Sequence, residues 1–427
     1  MFYFCYNTLS ILLLLPVLCF HLYRSISRGR PAALAERFGF IQPEALLKIA
    51  GRPTIWLHAV SVGESIAARP LLTALRRRYP GHAILASSTT ETGRAVISTF
   101  PEVDLSIYFP FDFLPAVCRT LSLIKPKVIV IMETEIWPNF SREAHLRRIP
   151  VLLANGRISD RSYKGYLRFR WFFRHPLGVF SKLCMQTEID VERIIAVGAP
   201  AERVSCTGNL KYDIAFHQIE IGEKSALRKK YAIPDNVMVL TAGSTHPGEE
   251  QLVIRSYLDL LATGSNLFLA LVPRHPERAA EVANLLKQYA LPFQRRTAMS
   301  ENVQFTRGEV LLVDTIGEMM DLYALSDVAF VGGSLVPTGG HNLLEPASFG
   351  IPCIFGSYMT NFREIADLVL RYGAGIQIET AAALTDSCRS LLASFELRRV
   401  LGQNGLKLLR DTGGATEKHM KAISTYL

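Results

Sequence analysis

The chain has 427 residues, of which 49% are hydrophobic and 20% charged, and its formal net charge is +9. This length exceeds one ordinary hydrophobic core and predicts two domains. The charge is modest for a nucleic-acid binder, so we expect no nucleic-acid partner; it suits an anionic membrane surface or a phosphorylated ligand. Seven scattered cysteines without a Cys-x-x-Cys pair argue against a disulfide framework or structural zinc and favour a reducing compartment.

The first predicted element is an apolar helix over residues 2–22. About 21 residues rising about 1.5 Å each span roughly 31 Å, which is one hydrocarbon thickness. Three arginines follow the run: Arg24, Arg28 and Arg30. No Lys or Arg precedes the run and no Ala-x-Ala site follows it, so we expect a retained N-terminal anchor, residues 1–30, with the catalytic body cytoplasmic. Pro16 keeps a second interpretation open, a helix that is buried in the fold or lies in the membrane interface.

Residues 31–215 alternate apolar runs with helical patterns, which predicts a first Rossmann-like domain with a parallel sheet. The predicted strands are Thr54–Leu57, Ala83–Ala86, Leu105–Phe109, Val128–Met132, Val151–Ala154 and Lys182–Met185. The predicted helices are Ser65–Tyr79, Thr92–Phe100, Pro115–Ile124 and Ser141–Arg148.

Residues 216–427 repeat this pattern and predict a second Rossmann-like domain. Its predicted strands are Val237–Ala242, Leu267–Leu271, Val310–Val313, Val328–Val331 and Pro352–Phe355, with helices starting at Gly248, Glu277, Ile316, Asn342 and Asn361. Two such α/β domains facing a cleft are the simplest architecture.

Glu64 stands where the first predicted strand turns into the first predicted helix. In an open parallel sheet this turn lies at the edge where ligands bind. The helix dipole favours an ionised carboxylate there, and an ionised carboxylate can accept a proton. Ser61 and Glu64 also have the spacing of a capping box, in which both residues only satisfy backbone amides. The spacing alone leaves both interpretations open.

Glu133 and Glu135 follow the predicted strand Val128–Met132. Two carboxylates at a strand end are costly to bury without a purpose. The chain has no Asp-x-Asp, the usual carboxylate pair for a metal-bound diphosphate. Glu133 and Glu135 could substitute for that pair, but a donor with a single phosphate needs no metal.

The segment from 157 to 180 mixes arginines and a lysine with aromatic residues. Its members are Arg157, Arg161, Tyr163, Lys164, Tyr166, Arg168, Phe169, Arg170, Trp171, Phe172, Phe173 and Arg174. Cations with aromatic neighbours suit acidic lipid head groups at a membrane surface. An ordinary packed helix with solvated arginines has the same composition, and the sequence does not separate the two.

Three segments of the second half follow predicted strands and are candidates for a nucleotide site. Residues 332–345 are rich in glycine and open a helix, so backbone amides can approach a phosphate. Residues 314–318 carry a second Gly-Glu helix start. Arg274 follows the strand Leu267–Leu271, and its guanidinium can bind a phosphate through two hydrogen bonds. A solvent-exposed arginine after a strand is the alternative. Thr315 with Glu318, and Asn342 with Glu345, also fit capping boxes.

Taken together, five segments resemble the 3-deoxy-D-manno-octulosonic acid (Kdo) transferases of lipid A assembly. They are the segments 58–64, 132–139, 207–213, 273–278 and 332–346, and they occur in the family's order. The resemblance implies a GT-B glycosyltransferase at the cytoplasmic face of the bacterial inner membrane. It implies CMP-Kdo as the donor, a phosphorylated and acylated lipid A precursor as the acceptor, and no cofactor or metal.

The resemblance also implies roles for particular residues. The catalytic base falls on Glu64, and transition-state stabilisers fall on Glu133 and Lys211. The CMP contacts fall on Pro273, Arg274, Ile316, Gly317, Glu318, Asn342, Leu343, Leu344 and Glu345. Sequence does not say whether Glu133 acts directly or through a neighbour, nor whether Lys211 offsets the sugar carboxylate or the departing phosphate.

Other functions fit the same two-domain pattern. One is a GT-B enzyme that uses a UDP-sugar, or a nucleotide-sugar epimerase. Another is a membrane-tethered nucleotide-sugar binding protein, in which Glu64, Glu318 and Glu345 are only helix caps. Turnover of CMP-Kdo would distinguish a Kdo transferase from a UDP-sugar enzyme or an epimerase. The effect of Glu64→Gln on turnover would distinguish a Kdo transferase from a binding protein. The number of Kdo units transferred, the acylation of the acceptor and the oligomeric state are not predicted.

Overall fold

The computed structural model describes residues 2–28, 33–213, 221–299 and 305–427. The chain forms two compact units, one comprising Met1–Asp213 with Thr412–Leu427 and the other Ile214–Asp411. Within the described residues, each unit is built on a seven-stranded parallel sheet. The prediction of two α/β domains with parallel sheets is therefore confirmed.

The sheet of the first unit has the strand order β3-β2-β1-β4-β5-β6-β7. Its strands are β1 Thr54–His58, β2 Ala83–Ser88, β3 Leu105–Tyr108, β4 Val128–Met132, β5 Val151–Gly156, β6 Lys182–Met185 and β7 Val204–Cys206. The chain proceeds from β1 to one edge and then returns to the other side of β1 as β4. The carboxyl ends of β1 and β4 therefore flank a topological switch point, where open α/β sheets bind ligands.

Helices cover both faces of this sheet. They are α1 Phe2–Arg28, α2 Leu34–Arg37, α3 Pro43–Leu46, α4 Val62–Arg78, α5 Glu91–Ile97, α6 Leu114–Ile124, α7 Pro138–Leu146, α8 Asp160–Arg168, α9 Arg170–Leu177 and α10 Glu188–Val197, with 3₁₀ turns Ala201–Arg203 and Leu210–Tyr212. Side chains alternate along each strand. Trp56 of β1 accordingly joins one apolar layer, and Ile55 and Leu57 join the other.

The sheet of the second unit has the order β10-β11-β9-β8-β12-β13-β14. Its strands are β8 Met238–Thr245, β9 Leu267–Pro273, β10 Phe293–Arg295, β11 Val310–Leu312, β12 Val328–Val331, β13 Cys353–Gly356 and β14 Gly375–Ile378. Its helices are α11 Ile221–Lys230, α12 Glu249–Ala262, α13 Ala279–Gln288, α14 Met319–Leu325, α15 Leu344–Ala347, α16 Arg363–Tyr372, α17 Ala381–Ala393 and α18 Phe395–Thr412, with 3₁₀ turns Pro276–Arg278 and Arg296–Ala298. The switch point here lies between β8 and β12.

The last helix of the chain, α19 (Ala415–Ser424), belongs to the first unit. Met420 and Ile423 are buried in one of that unit's two apolar layers. This differs from the sequence interpretation, which assigned all of residues 216–427 to the second domain. The apolar residues of α19 have the spacing of any amphipathic helix, and this spacing does not specify which sheet the helix packs against.

Helix α1 docks on the first unit through its N-terminal turns. The Tyr6 hydroxyl donates to Asp112 Oδ2 at 2.7 Å, and the Asn139 side-chain amide donates to Asn7 Oδ1 at 2.7 Å. Large apolar side chains along the helix remain exposed: Phe4, Leu9, Ile11, Leu12, Leu13, Leu15 and Leu22. No helix in the described part of the chain combines the length and apolarity needed to cross a bilayer. Arg30, in the basic linker that the sequence predicts after the anchor, lies outside the described residues.

Candidate functional site

Glu64 lies in the first turn of α4, just after the carboxyl end of β1. Its Oε2 accepts the Val60 N–H at 2.8 Å, and its Oε1 accepts the Ser61 hydroxyl at 2.9 Å. Ser61 is the N-cap of α4, and its Oγ accepts the Glu64 N–H at 3.3 Å. A capping arrangement therefore exists, but the carboxylate binds the Val60 amide rather than the Ser61 amide that a capping box would use.

The surroundings of Glu64 favour proton uptake. Burial raises the pKa of its carboxyl above the ordinary value, and the nearby Glu133 carboxylate raises it further. The Val60 and Ser61 hydrogen bonds and the Lys211 ammonium act in the opposite direction. A carboxylate with a raised pKa is a stronger base than one in water, which is what proton abstraction near neutral pH requires.

Glu133 occupies the position after β4, across the switch point from Glu64. Its backbone is left-handed, with φ +55°, and its N–H donates to the Ala154 carbonyl at 2.8 Å. Its Oε1 lies 3.5 Å from Lys211 Nζ. A left-handed backbone is uncommon for a residue with a side chain, and such positions concentrate at functional sites.

Glu135 completes the acidic cluster. Burial, together with the Glu64 and Glu133 carboxylates, raises the pKa of its carboxyl to about 7. The neighbouring negative charges therefore favour the protonated form of Glu135. The structure thus brings together Glu64, Glu133 and Lys211, all from the first unit, with Glu135 beside them.

Lys211 is positioned by a network of buried amides. Asn155 Oδ1 accepts the Leu210 N–H at 2.9 Å, and the Gln186 side-chain amide donates to the Asn155 carbonyl at 3.0 Å. The Asn209 side chain donates to Gln186 Oε1 at 3.0 Å and accepts the Lys211 N–H at 2.9 Å. Sequence analysis missed Asn155 and Gln186, since isolated amides between strands give no distinguishing pattern.

His58, at the end of β1, is a structural residue. It is fully buried, its Nδ1 lies 3.0 Å from Ser87 Oγ, and its ring stacks on Phe109 with centroids 3.8 Å apart. Burial lowers its pKa to about 3, so the ring is neutral at physiological pH. It fixes the packing behind the switch point.

In the second unit, Arg274 follows β9, whose last residue is the buried Pro273. Its N–H donates to the Thr245 carbonyl at 3.0 Å, while its side chain is exposed. Within the described residues its guanidinium has no ion-pair or hydrogen-bond partner. Its charge lowers the pKa values of both His341 and Glu345, so it lies near these two side chains.

The glycine-rich loop after β12 is held by Glu249, a fully buried residue at the start of α12. Its carboxylate accepts backbone N–H groups from Gly333 at 2.6 Å, Ser334 at 2.9 Å and Leu335 at 2.8 Å. It also accepts the His246 N–H at 3.0 Å. We expected free amides here for a phosphate; the amides of 333–335 are instead occupied, and Glu249 was missed because a Glu at a helix start looks like an ordinary cap.

Two histidines meet beside this loop. His246 Nε2 and His341 Nε2 lie 2.9 Å apart, and the two rings stack with centroids separated by 5.2 Å. Burial, together with the nearby Arg274 charge, lowers the pKa of His341 to about 4. Burial also lowers the pKa of His246. At neutral pH the pair is therefore uncharged, and one ring donates its N–H to the other.

The segment Asn342 to Glu345 starts the short helix α15. Asn342 Oδ1 accepts the Leu344 N–H at 3.1 Å, while Leu343 and Leu344 have fully buried side chains and present only their backbone. Burial raises the pKa of Glu345 to about 7, with Arg274 opposing that rise. Glu345 therefore switches between donor and acceptor of hydrogen bonds near neutral pH.

The segment Ile316 to Glu318 precedes α14. Ile316 is 87% exposed, and Gly317 adopts φ +93°. Glu318 binds Arg296 at 3.0 Å and also accepts the Thr315 hydroxyl. The capping box predicted for Thr315 is therefore not formed, because α14 starts only at Met319 and its first turn receives no side-chain cap. Burial would raise the pKa of Glu318, but the Arg296 and Thr315 hydrogen bonds bring it below the ordinary value.

The predicted donor-site residues thus lie on the loops that follow β9, β11 and β12, at the carboxyl ends of the strands of the second sheet. Among the described residues, no group of three or more His, Cys, Asp or Glu side chains is arranged to hold a metal ion.

Comparison with known proteins identifies the family. Residues 32–214 match the family model described as 3-deoxy-D-manno-octulosonic-acid transferase (kdotransferase). The 3-deoxy-D-manno-octulosonic acid transferase of Haemophilus influenzae is 36% identical, over 100% of this chain and 99% of that one. The chain belongs to the Kdo transferase family. It is accordingly a glycosyltransferase, as the sequence resemblance predicted.

Other Kdo transferases are similar over most of their length. The Bordetella pertussis transferase is 33% identical over 87% of each chain. Among solved structures, the UDP-GlcNAc 2-epimerase of Neisseria meningitidis has a TM-score of 0.55 at 14% identity, covering 87% of this chain and all of that one. This second likeness concerns the fold alone and agrees with the GT-B type of architecture predicted from the sequence.

Proposed function

We propose that this transferase moves Kdo from CMP-Kdo to a phosphorylated, acylated glucosamine disaccharide, lipid IVA, with inversion at the anomeric carbon. Glu64 is the general base. The observation that carries the proposal is the placement of Glu64 opposite Glu133 and Lys211 at the switch point of the first sheet. A single displacement needs one group to take the acceptor's hydroxyl proton, and a buried carboxylate with a raised pKa suits that task.

The neighbours of Glu64 have complementary roles. Departure of the sugar from CMP leaves positive charge on the anomeric carbon and negative charge on the leaving phosphate. The Glu133 carboxylate is suited to stabilise the positive charge. Lys211, 3.5 Å from Glu133, is suited to offset the carboxylate of Kdo or the departing phosphate. Its partly exposed ammonium is available to a ligand.

The second unit is proposed to hold the donor. Arg274 offers its guanidinium, which has no partner in the part of the chain that the structure describes, to the single phosphate of CMP. The exposed backbone at Ile316 and Gly317, shaped by the Glu318–Arg296 pair, offers a surface for the nucleoside. The carboxyl of Glu345 is suited to bind ribose hydroxyls, while the hydrogen bond from the Leu344 N–H to Asn342 and the buried Leu343 and Leu344 fix the start of its helix. None of these contacts involves a metal ion or a cofactor.

We also propose that the protein acts at the cytoplasmic face of the inner membrane through α1 and the segment 157–180. The exposed leucines of α1 and the exposed Trp171 and Phe169 provide apolar contacts. Arg161, Lys164, Arg168, Arg170 and Arg174 are exposed beside them, which favours anionic head groups. Cosedimentation with vesicles containing anionic lipid measures this; equal recovery in the supernatant with and without vesicles would contradict it.

The transfer itself is tested by mass spectrometry of the products formed from CMP-Kdo and a tetraacyl lipid A precursor. We expect the acceptor to gain the mass of one or more Kdo residues and free CMP to accumulate. Turnover of a UDP-sugar in place of CMP-Kdo would instead support the UDP-sugar enzyme or the epimerase. Binding of CMP without turnover of any donor would support a binding protein.

A further inference from the structure

The first unit contains an apolar groove between α1 and the loop that follows β3. Its volume is about 340 Å³. Helix α1 contributes Leu9, Ser10 and Leu13, and the body of the unit contributes Phe109, Phe111 and Trp137. Leu9 and Leu13 are 52% and 49% exposed, so the groove lies at the surface and continues into the apolar face of α1.

Neither charged residue in the groove wall is available to a charged ligand. Arg37 is buried, donates to the Thr89 carbonyl at 2.8 Å and lies over the Tyr108 ring at 4.4 Å. Asp112 accepts the Tyr6 hydroxyl at 2.7 Å and two backbone N–H groups at the start of α7. A ligand entering the groove therefore meets mainly apolar surface, which selects an uncharged, apolar chain.

The groove adjoins the elements that carry the proposed catalytic residues. Phe109 of its wall stacks on His58 at the end of β1. Thr89 precedes Thr90, whose hydroxyl donates to the Val60 carbonyl at 2.9 Å, and the Val60 N–H binds Glu64. On the other side, the wall residue Trp137 lies two residues after Glu135 in the chain. A molecule that presents a hydroxyl to Glu64 can therefore place an attached apolar chain in the groove.

We infer that this groove binds one acyl chain of the acceptor lipid while the acceptor's sugar hydroxyl lies at Glu64. The inference rests on the proposed function, because it takes an acylated disaccharide as the acceptor. It assigns α1 a part in substrate recognition: the helix supplies one wall of the groove. Each buried methylene contributes roughly fourfold to affinity, so a chain that fills the groove contributes substantially to acceptor selection.

The test compares two substitutions on α1. Ser10→Phe places a ring in the groove, whereas Thr8→Phe, two residues away on the same helix, places it outside, at an exposed position. Both changes remove a hydroxyl that only binds its own helix, Ser10 to Asn7 O at 2.8 Å and Thr8 to Phe4 O at 3.0 Å. The two variants therefore differ mainly in groove occupancy.

We expect Ser10→Phe to raise the KM for the tetraacyl acceptor at least tenfold, since excluding two methylenes already removes about fifteenfold in affinity. The KM for the fully deacylated disaccharide bisphosphate should stay within twofold, and Thr8→Phe should change neither value. Equal effects of the two substitutions, or equal effects of Ser10→Phe on both acceptors, would overturn the inference. The deacylated acceptor also separates binding of the acceptor's own chain from occupation by bilayer lipid.

A direct measurement keeps the groove testable if no Kdo transfer is found. A Trp171→Phe background leaves two tryptophans, Trp137 in the groove wall and the fully buried Trp56. In this background, a doxyl-labelled dodecanoic acid bound in the groove should quench the tryptophan fluorescence saturably. Ser10→Phe should abolish that quenching, and Thr8→Phe should leave it intact. Saturable quenching without Kdo transfer would support binding of an acyl chain in the groove and contradict the proposed function. Kdo transfer without saturable quenching would contradict only the inference that the groove binds an acyl chain.

Discussion

At the scale of single residues, the carboxylate of Glu64 has a structural role that is compatible with its proposed role as a base. It accepts two hydrogen bonds, from the Val60 amide and the Ser61 hydroxyl. A carboxylate offers about four lone-pair sites, so capping leaves capacity for a proton from the acceptor. The cap also fixes the orientation of the carboxylate, which a general base requires. The two interpretations of the Ser61-x-x-Glu64 spacing are therefore compatible.

Glu64→Gln separates these roles. The glutamine oxygen can accept the Val60 N–H, so we expect the melting temperature to move by only a degree or two. Turnover should fall at least about a hundredfold, because general base catalysis contributes roughly 10²- to 10⁴-fold. CMP affinity should not change. Glu44→Gln, in the first turn of α3 and exposed, is the matched control and should keep full activity. Turnover of Glu64→Gln within about tenfold of the wild type would transfer the role to Glu133 or Glu135.

The raised pKa of Glu135, about 7, makes stability depend on pH. The folded state holds this proton more tightly than the unfolded chain, whose ordinary glutamate pKa is about 4.3. Its contribution to stability is therefore fully present below about pH 4 and is lost as the pH rises through about 7.

Glu135→Gln removes this dependence. We expect the variant to be more stable than the wild type at pH 8, by at most about 4 kcal/mol, with the advantage shrinking toward pH 5. Denaturant unfolding at the two pH values measures it. An advantage that is the same at pH 5 and pH 8 would mean that Glu135 does not hold a proton in the folded state.

Arg274 is predicted to contact the phosphate of CMP. A charge-assisted hydrogen bond contributes roughly 1.5–3 kcal/mol, so Arg274→Ala should weaken CMP binding about 10- to 150-fold. The fold should be unaffected, since the guanidinium is exposed. Calorimetric titration with CMP measures the effect. Arg255→Ala is the control: it is an exposed arginine of the same unit, on α12, that binds Tyr289. A loss of affinity shared by both variants would reflect net charge alone.

At the scale of elements, the loop after β12 depends on Glu249. Its carboxylate collects four backbone N–H groups, three from Gly333 to Leu335 and one from His246. The carboxyl end of β8 is thereby tied to the loop after β12 across the switch point. The loop carries His341 and leads to Glu345. Glu249 is therefore a positioning residue for the proposed donor site.

Glu249→Gln should loosen this connection. The glutamine amide presents only one acceptor oxygen to four donors, so about two charge-assisted hydrogen bonds are lost, or roughly 3–6 kcal/mol. We expect the melting transition of the second unit to fall by roughly 10 °C, with weaker CMP binding. Glu277→Gln, on the exposed 3₁₀ turn after β9, should leave both quantities unchanged. A normal melting temperature for Glu249→Gln would show that other contacts hold the loop.

The sequence predicts the elements best where they are strongly apolar. The central strands β1, β4, β8 and β12 lie close to their predicted ranges, because buried parallel strands are continuous apolar runs. The short strands β7, β10 and β14 are missed, since they lie toward the edges and their side chains are only partly buried. The loops that hold Glu64, Glu133 and Arg274 follow from the strand ends.

Hydrogen-bond partners are less predictable than positions. Glu249 starts α12 and Glu318 precedes α14, so the two look alike in sequence. Their spacing does not predict that Glu249 binds the loop after β12 whereas Glu318 binds Arg296. The His246–His341 contact joins residues 95 apart in the chain. Such pairings depend on tertiary geometry, and no local pattern encodes them.

At the scale of the whole molecule, the C-terminal helix completes the first unit. His419 is buried, and its Nε2 accepts the Asn155 N–H at 2.9 Å while its Nδ1 lies 2.7 Å from the Ala415 carbonyl. Burial lowers the pKa of His419 to about 4, so the ring is neutral and keeps Nε2 as an acceptor. Asn155 belongs to the network that positions Lys211. The end of the chain therefore supports the proposed catalytic cluster.

Ile423→Ala measures how much α19 contributes. The side chain is 1% exposed within an apolar layer of the first unit. Truncating a buried isoleucine costs about 2–5 kcal/mol, so the first unit should melt roughly 5–15 °C lower. Lys421→Ala, at an exposed position of the same helix, should change the transition by less than about 2 °C. Equal melting temperatures would show that α19 is not integral to the unit.

The return of the chain also makes the second unit an insertion within the first. The chain leaves the first unit after Asp213 and re-enters it at Thr412. Asp213 Oδ1 accepts the Gly414 N–H at 2.8 Å, and Oδ2 accepts the Thr416 N–H. The points where the chain leaves and re-enters the first unit are therefore hydrogen-bonded to each other, and the second unit is inserted between them. Such an inserted unit can be exchanged between relatives at two junctions, beside Asp213 and Gly414, so the proposed donor-binding unit could be recombined with the acceptor-binding unit of a relative. A single proteolytic nick in either crossing would give two fragments, and the packing of α19 on the first unit would hold them together without a covalent link.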